Sequence, residues 1–256
     1  MGWLNYVFVC SPLEQFEIIP IVAFRLGTLD FSFTNASLAM LFSAGGFLFL
    51  MRLIQANHYL IANRWQYTIE ALFSFVLTIV VDNIGIKGQR YFPFVFVLFI
   101  FILFSNLLGM IPYSFTATSH LIVTFSLGLG VFLGVNIVII REHKMKAFGL
   151  FLPPGSPIVL APMLVLIEMI SYFIRVVSLS VRLFANIMSG HILLKVLLGF
   201  AWTMATSISL IMVLLHLLPL SIVFLLVGLE IGVAIIQAYV FTILTCLYLN
   251  EAIHLH

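Results

Sequence analysis

The chain reads as an all-α, polytopic integral membrane protein. About five membrane-embedded helices, a further re-entrant or interfacial helix, and a last pair that is long and steeply inclined are expected. Three observations predict this. Of 256 residues, 63% are hydrophobic and only 8% charged, whereas a soluble domain carries about a quarter charged residues. Mean hydropathy is +1.25, and the apolar residues gather into runs long enough to cross a bilayer. The final two runs are far longer than one crossing needs.

The spans follow in order. Phe33 to Leu53 is the first. Tyr67 to Val81, with Glu70 inside and Asp82 just past its end, looks too short for the ~20 residues of a span and reads as re-entrant or interfacial. Phe92 to Ile111 opens with Pro93 and closes at Gly109 and Pro112, both ordinary helix boundary signals. Leu121 to Ile140 is the next. Gly149 to Pro157 holds Pro153, Pro154 and Gly155 and cannot be continuous helix. Ile158 to Phe200 lacks a strong breaker; as one helix it would measure about 65 Å against a hydrocarbon core of about 30 Å. It must break near Gly190 or lie steeply inclined. Leu210 to Leu249 poses the same problem, with Pro219 as a kink or a start.

Lys and Arg occupy the connections 52–64, 87–90 and 141–146 but not 112–120. The positive-inside rule therefore puts the amino terminus outside. No internal repeat is evident, so 1–256 is expected to form a single membrane domain. Residues 1–32 make an outer segment, 33–146 peripheral helices, and 158–250 two long helices carrying a polar path.

Composition also excludes function classes. The net charge of +2 comes from scattered basic residues, which is not the footprint of a nucleic-acid binder. Cys10 and Cys246 stand far apart, with neither disulfide nor metal-ligand spacing. Six of the 26 phenylalanines fall in 92–104, and this aromatic run reads as lipid-facing packing. No nucleotide loop, haem pair or nucleophile–base set appears, so neither a cofactor nor a catalytic centre is expected. The first residues, with Glu14, Glu17, Arg25 and Asp30, look like neither a secretory signal nor a transit peptide. Synthesis within an organelle is the corresponding expectation.

Arg182 is the residue that asks for a function. It lies in the apolar run Pro157 to Phe200, whose only other charged or imidazole side chains are Glu168, Arg175, His191 and Lys195. A charge at mid-bilayer costs roughly 2.5–3.5 kcal/mol on insertion scales and normally marks an ion path or a buried partner. Arginine cannot shed its proton to escape that cost. Glu168, Arg175 and Arg182 are seven apart, which places them on one slowly drifting stripe. Asn186 continues the stripe, and His191 falls near the opposite face. On the following run, Glu230 and Gln237 are again seven apart.

A static ion pair would also explain a Glu–Arg stripe, and Asn186 and Gln237 would serve as interhelical hydrogen-bond glue. His216 reads as a packing residue and Lys195 as a snorkelling one. His191 and Glu230, isolated on apolar helices, favour a proton relay over decoration.

The motifs Leu179-Ser-Val-Arg-Leu-Phe-Ala-Asn186, Ser189-Gly-His191 and Gln237-Ala-Tyr-Val-Phe-Thr242 resemble subunit a of the F-type ATP synthases. Ser11-Pro-Leu-Glu-Gln-Phe-Glu17 and Phe104-Ser-Asn-Leu-Leu-Gly-Met-Ile-Pro112 extend the resemblance nearly end to end. It implies a non-catalytic stator that passes protons through two offset half-channels against a rotating ring of c subunits, driving ATP synthesis. By position it gives Arg182 the role of the essential arginine, with Asn186 and Gln237 close to it. It pairs His191 with Glu230 on the outer half-channel, in the mitochondrial arrangement, and gives Glu168 to the inner one; Arg175 matches an often basic position. It further implies the mitochondrial inner membrane, an amino terminus on the intermembrane-space side, and peripheral-stalk and other membrane-sector subunits as partners. The competing readings are a secondary proton or cation transporter, which usually shows inverted repeats, and a structural membrane subunit.

Overall fold

The computed structural model describes residues 13–26, 29–56, 63–111, 114–144, 160–206 and 210–253. The linker 149–157 and Cys10 lie outside the described residues. The protein is an all-α integral membrane protein. Its helices are α1 (Asn35–Ala56), α2 (Arg64–Ile84), α3 (Phe92–Gly109), α4 (Leu121–His143), α5 (Ala161–Ala205), the short α6 (Leu210–Leu215) and α7 (Leu217–Ile253). Five of them, α2, α3, α4, α5 and α7, have both the length and the composition to cross a membrane.

The chain enters through a feature with no counterpart in the expectations, a small nested hairpin. β1 (Pro20–Val22) pairs antiparallel with β4 (Phe33–Thr34), and within them β2 (Arg25–Leu26) pairs with β3 (Leu29–Asp30). These strands are too short to show as alternating hydrophobicity.

Helix α2 corrects the expectation of a short element over Tyr67 to Val81. It has 21 residues, so length no longer argues against a crossing. Its start moves back because the Asn63 side chain accepts a hydrogen bond from the Arg64 amide, and it ends at Gly85, whose φ of 83° is in the left-handed region. Glu70 and Asp82 sit on exposed positions, outside the packed face of Ile69, Val76, Ile79, Val80 and Ile84.

Helix α3 corrects a second expectation. Three of its six phenylalanines turn inward, while Phe94 stays exposed, and it is the central helix. Phe92, Phe96 and Phe99 are buried, as are Val95, Leu98, Ile100 and Ile102, and the helix packs against α7, α1 and α2. An all-round apolar helix is what a core position selects, and composition alone does not distinguish that from a lipid-facing one.

Helix α5 settles the choice posed by its length. It runs unbroken through Gly190 for 45 residues, about 67 Å at 1.5 Å per residue. Helix α7 has 37 residues, about 55 Å. Pro219 stands in the first turn of α7, where no amide hydrogen bond is lost, and His216 occupies the break before it. Neither helix fits a 30 Å core upright.

The connection before α4 is tightly packed. A Cβ on Gly109 would lie 2.2 Å from Thr116 Cγ2 and 3.6 Å from Thr116 Cα. His120 then stacks on Phe115 at 5.2 Å, and burial pushes its pKa below the ordinary 6.5. Gly109→Ala is expected to destabilise the fold by about 1–3 kcal/mol through overpacking. Thermal unfolding in detergent measures this, and adding Thr116→Ser, which removes the clashing methyl, should recover most of the loss.

Candidate functional site

The site is built on the α5–α7 interface, the most extensive helix contact in the fold. One side is a stripe of α5, with Leu179, Leu183 and Ile187 buried, while the buried Val176 and Ser180 beside it meet Gly128 of α4. The other is a stripe of α7, with Ala234, Ala238, Phe241, Thr242, Thr245, Cys246, Leu249 and Ala252 buried. Small residues dominate the second stripe, and in a membrane they let helix backbones approach closely. Into this seam the sequence inserts polar groups at three levels.

At the first level His191 Nδ1 lies 3.5 Å from Glu230 Oε1. That is too long for a hydrogen bond, and both Glu230 oxygens and His191 Nε2 are buried with no hydrogen-bond partner among the described residues. Glu230 is only 4% exposed. Gly190 makes the approach possible, since a Cβ there would stand 2.9 Å from Glu230 Oε1 and 3.1 Å from its Cδ. The two side chains are therefore buried against each other without a direct hydrogen bond, which is not a closed ion pair. Asn106 braces α7 one turn away, its Nδ2 donating to Ala234 O at 3.3 Å.

At the second level Asn186 Nδ2 donates to Gln237 Oε1 at 3.0 Å, while Gln237 Nε2 is buried without a partner among the described residues. One turn before Asn186 stands Arg182. It is exposed on the lateral surface of α5, among Val181, Val177 and Ile174, all large and exposed. None of the ion pairs among the described residues involves it; its electrostatic neighbour is the Tyr248 phenol.

At the third level Arg175 forms a hydrogen-bonded ion pair with Glu251, reaches Glu168 at 3.6 Å, and sits over the Tyr248 ring at 5.9 Å. Tyr172 beside it donates to Asn136 Oδ1 at 3.1 Å. Here the static ion-pair reading is partly realised, for Arg175 and not for Arg182. Lys195 is half-buried one turn beyond His191 and joins none of the three levels.

The structure thus brings together His191 with Glu230, Asn186 with Gln237, and Glu168 with Arg175, and leaves Arg182 facing outward. Sequence reasoning missed Glu251, although it lies fourteen residues beyond Gln237 and twenty-one beyond Glu230 on the same seven-residue stripe. It also missed Gly190, Asn106 as a brace, and Phe16, whose ring meets His191 edge-on with centroids 6.3 Å apart.

The model of the family "ATP synthase A chain" matches residues 36–250, which include all three levels except Glu251. The chain belongs to this family. It is 52% identical over 251 residues to ATP synthase subunit a of Marchantia polymorpha, covering 96% of this chain and 99% of that one. It is 47% identical over 252 residues to ATP synthase subunit a of Chondrus crispus, covering 98% and 99%. Subunit a of Pylaiella littoralis is 50% identical over 247 residues, covering 96% and 99%.

The middle level carries its own test. Asn186→Leu and Gln237→Leu should each cost about 1 kcal/mol, and the double change should cost less than their sum, with a coupling of roughly 0.6–1.7 kcal/mol. Unfolding of the four variants in detergent gives that coupling.

Proposed function

We propose that this chain is the proton-conducting stator of the membrane sector of an ATP synthase, with two offset half-channels that meet a rotating ring of c subunits. The observation that carries the reading is Arg182. A guanidinium in an apolar lateral wall, without an ion-pair partner among the described residues of its own chain, is costly unless a carboxylate of another chain faces it. The two other polar levels straddle it. Arg175 lies seven residues to one side and His191 nine to the other, about 10 and 14 Å along the helix. Two acid-bearing clusters on either side of one fixed charge are what offset half-channels require, with Glu168 on the inner path and His191 with Glu230 on the outer.

The physical cycle follows from desolvation. A carboxylate on a rotor helix stays neutral while it faces hydrocarbon, because burial penalises its charged form. Opposite Arg182 it is stabilised as an anion and gives up its proton. It reloads only after passing the arginine, from the other half-channel, and the fixed charge also repels a proton crossing directly. A membrane potential biases the two exchanges by about 2.3 kcal/mol per charge per 100 mV. Helices α5 and α7, too long to stand upright, lie inclined along the ring and keep their polar stripe beside it. The same reading puts the chain in the mitochondrial inner membrane with peripheral-stalk subunits as further partners, and the Lys and Arg distribution supports an amino terminus towards the intermembrane space.

Arg182→Ala is expected to assemble into the complex yet abolish ATP-driven proton pumping in inverted membrane vesicles. Arg182→Lys should also fail to pump at a normal rate, because a desolvated lysine sheds its charge where arginine keeps it. Wild-type-like pumping by assembled Arg182→Ala complexes would reject the reading, as would a defect confined to assembly, which a structural subunit would show.

A further inference from the structure

The segment before α1 spends nearly all its apolar residues on the surface. Leu13, Ile18, Ile19, Ile21, Val22 and Phe24 are each about half exposed or more. Phe16 is the exception. It is 9% exposed, the one buried side chain before Ala36 among residues whose burial is described. Its ring meets the His191 imidazole in an edge-on contact.

Two local devices deliver it there. The turn is closed by Phe16 N–H to Leu13 O at 3.0 Å and Glu17 N–H to Glu14 O at 3.1 Å. Asn35 at the start of α1 then fastens the stretch from Glu17 to Ile19. Its Nδ2 donates to Glu17 O at 2.9 Å, its Oδ1 accepts from Ile19 N–H at 3.2 Å, and its own N–H donates to Ile19 O at 3.1 Å. An exposed segment held by a three-bond clamp, contributing one aromatic ring to the interior, is built to place that ring.

Its placement bears on the adjacent pair. His191 approaches Glu230 through Nδ1 without a hydrogen bond to fix it, so no polar contact among the described residues stops the imidazole from turning about its side-chain bonds. An edge-on aromatic neighbour does, by occupying the space the ring would sweep, and such pairs hold a preferred mutual geometry. Gln15 Nε2, one residue from Phe16, is also buried without a partner among the described residues. Glu230 on α7 is the charged group that meets the imidazole; Lys195 follows one turn along α5, and Glu14 and Glu17 flank Phe16 in sequence.

We propose that the Leu13–Glu17 turn is the outer cover of the His191–Glu230 pair, and that Phe16 is a positioning residue holding the imidazole towards Glu230. This rests on the reading of that pair as part of the outer proton path. The test uses assembled complex in membrane vesicles, with ATP-driven pumping measured per complex. Phe16→Ala should lower turnover about tenfold and Phe16→Tyr should return it to within about twofold, since misplacing a reacting group by an ångström costs one to two orders of magnitude. Asn35→Ala, which frees the clamp and leaves Phe16 intact, should move turnover the same way. Wild-type turnover in Phe16→Ala, or equal loss in Phe16→Tyr and Phe16→Ala, overturns the proposal. If Phe16→Ala does not assemble, Asn35→Ala decides, and normal turnover there overturns it. His191→Ala separates the two levels of inference. Arrest in His191→Ala with normal Phe16→Ala rejects the cover alone, while normal turnover in His191→Ala rejects the outer-path reading beneath it.

Discussion

A guanidinium without an ion-pair partner among the described residues of its own chain, set in an apolar wall, is the constraint around which the structure is organised. Arg182 is exposed on α5 beside large aliphatic residues, and the acids nearest it along α5 and α7 are directed elsewhere: Glu251 and Glu168 pair with Arg175, and Glu230 lies 3.5 Å from His191 without a hydrogen bond. Had any of them reached Arg182, the charge would be neutralised internally and the helix would be an ordinary ion-paired span. Keeping them away costs stability in isolation, a cost that the proposed facing carboxylate of a second chain would offset.

The separation is achieved by close packing rather than by distance in sequence. Alanines and threonines along α7 let it run tightly beside α5, and the seven-residue stripe on each helix puts polar groups at matched heights. Gly190 allows Glu230 to come in under His191, and the Asn186–Gln237 bond ties the helices beside the arginine. At the far end Glu251 takes the principal bond to Arg175, so Glu168 keeps a long 3.6 Å contact. One seam thus holds two acid-bearing clusters on either side of Arg182.

Much of this was legible in the residues. The helix runs, the start of α3 at Pro93, the start of α7 near Pro219 and the two heptad stripes follow from hydropathy and periodicity alone. Sequence reasoning failed where composition is silent. Aromatic-rich α3 is central, and nothing in an all-apolar run says whether protein or lipid surrounds it. Helix α2 gained residues at both ends through the Asn63 cap and the Gly85 turn, local chemistry that a hydropathy window averages away. At the site, the pairing of Glu251 with Arg175 was accessible, since position 251 extends the stripe of 230 and 237. The contact of Phe16 with His191 was not, because it joins residues 175 positions apart across an irregular segment. Stripe positions identify which residues share a face; only the three-dimensional packing says which faces meet.

The central claim is that the surface bearing Arg182 abuts an acid-bearing helix of a different subunit. A photoreactive residue at Ser178 or Ala185, both exposed within about one turn of Arg182, tests it in the intact complex, with the exposed Ile137 of α4 as the control site. The account requires capture of a small proteolipid from positions 178 and 185, with far weaker capture from 137. Crosslinks from 178 and 185 to lipid alone, or only to other parts of this same chain, would contradict it.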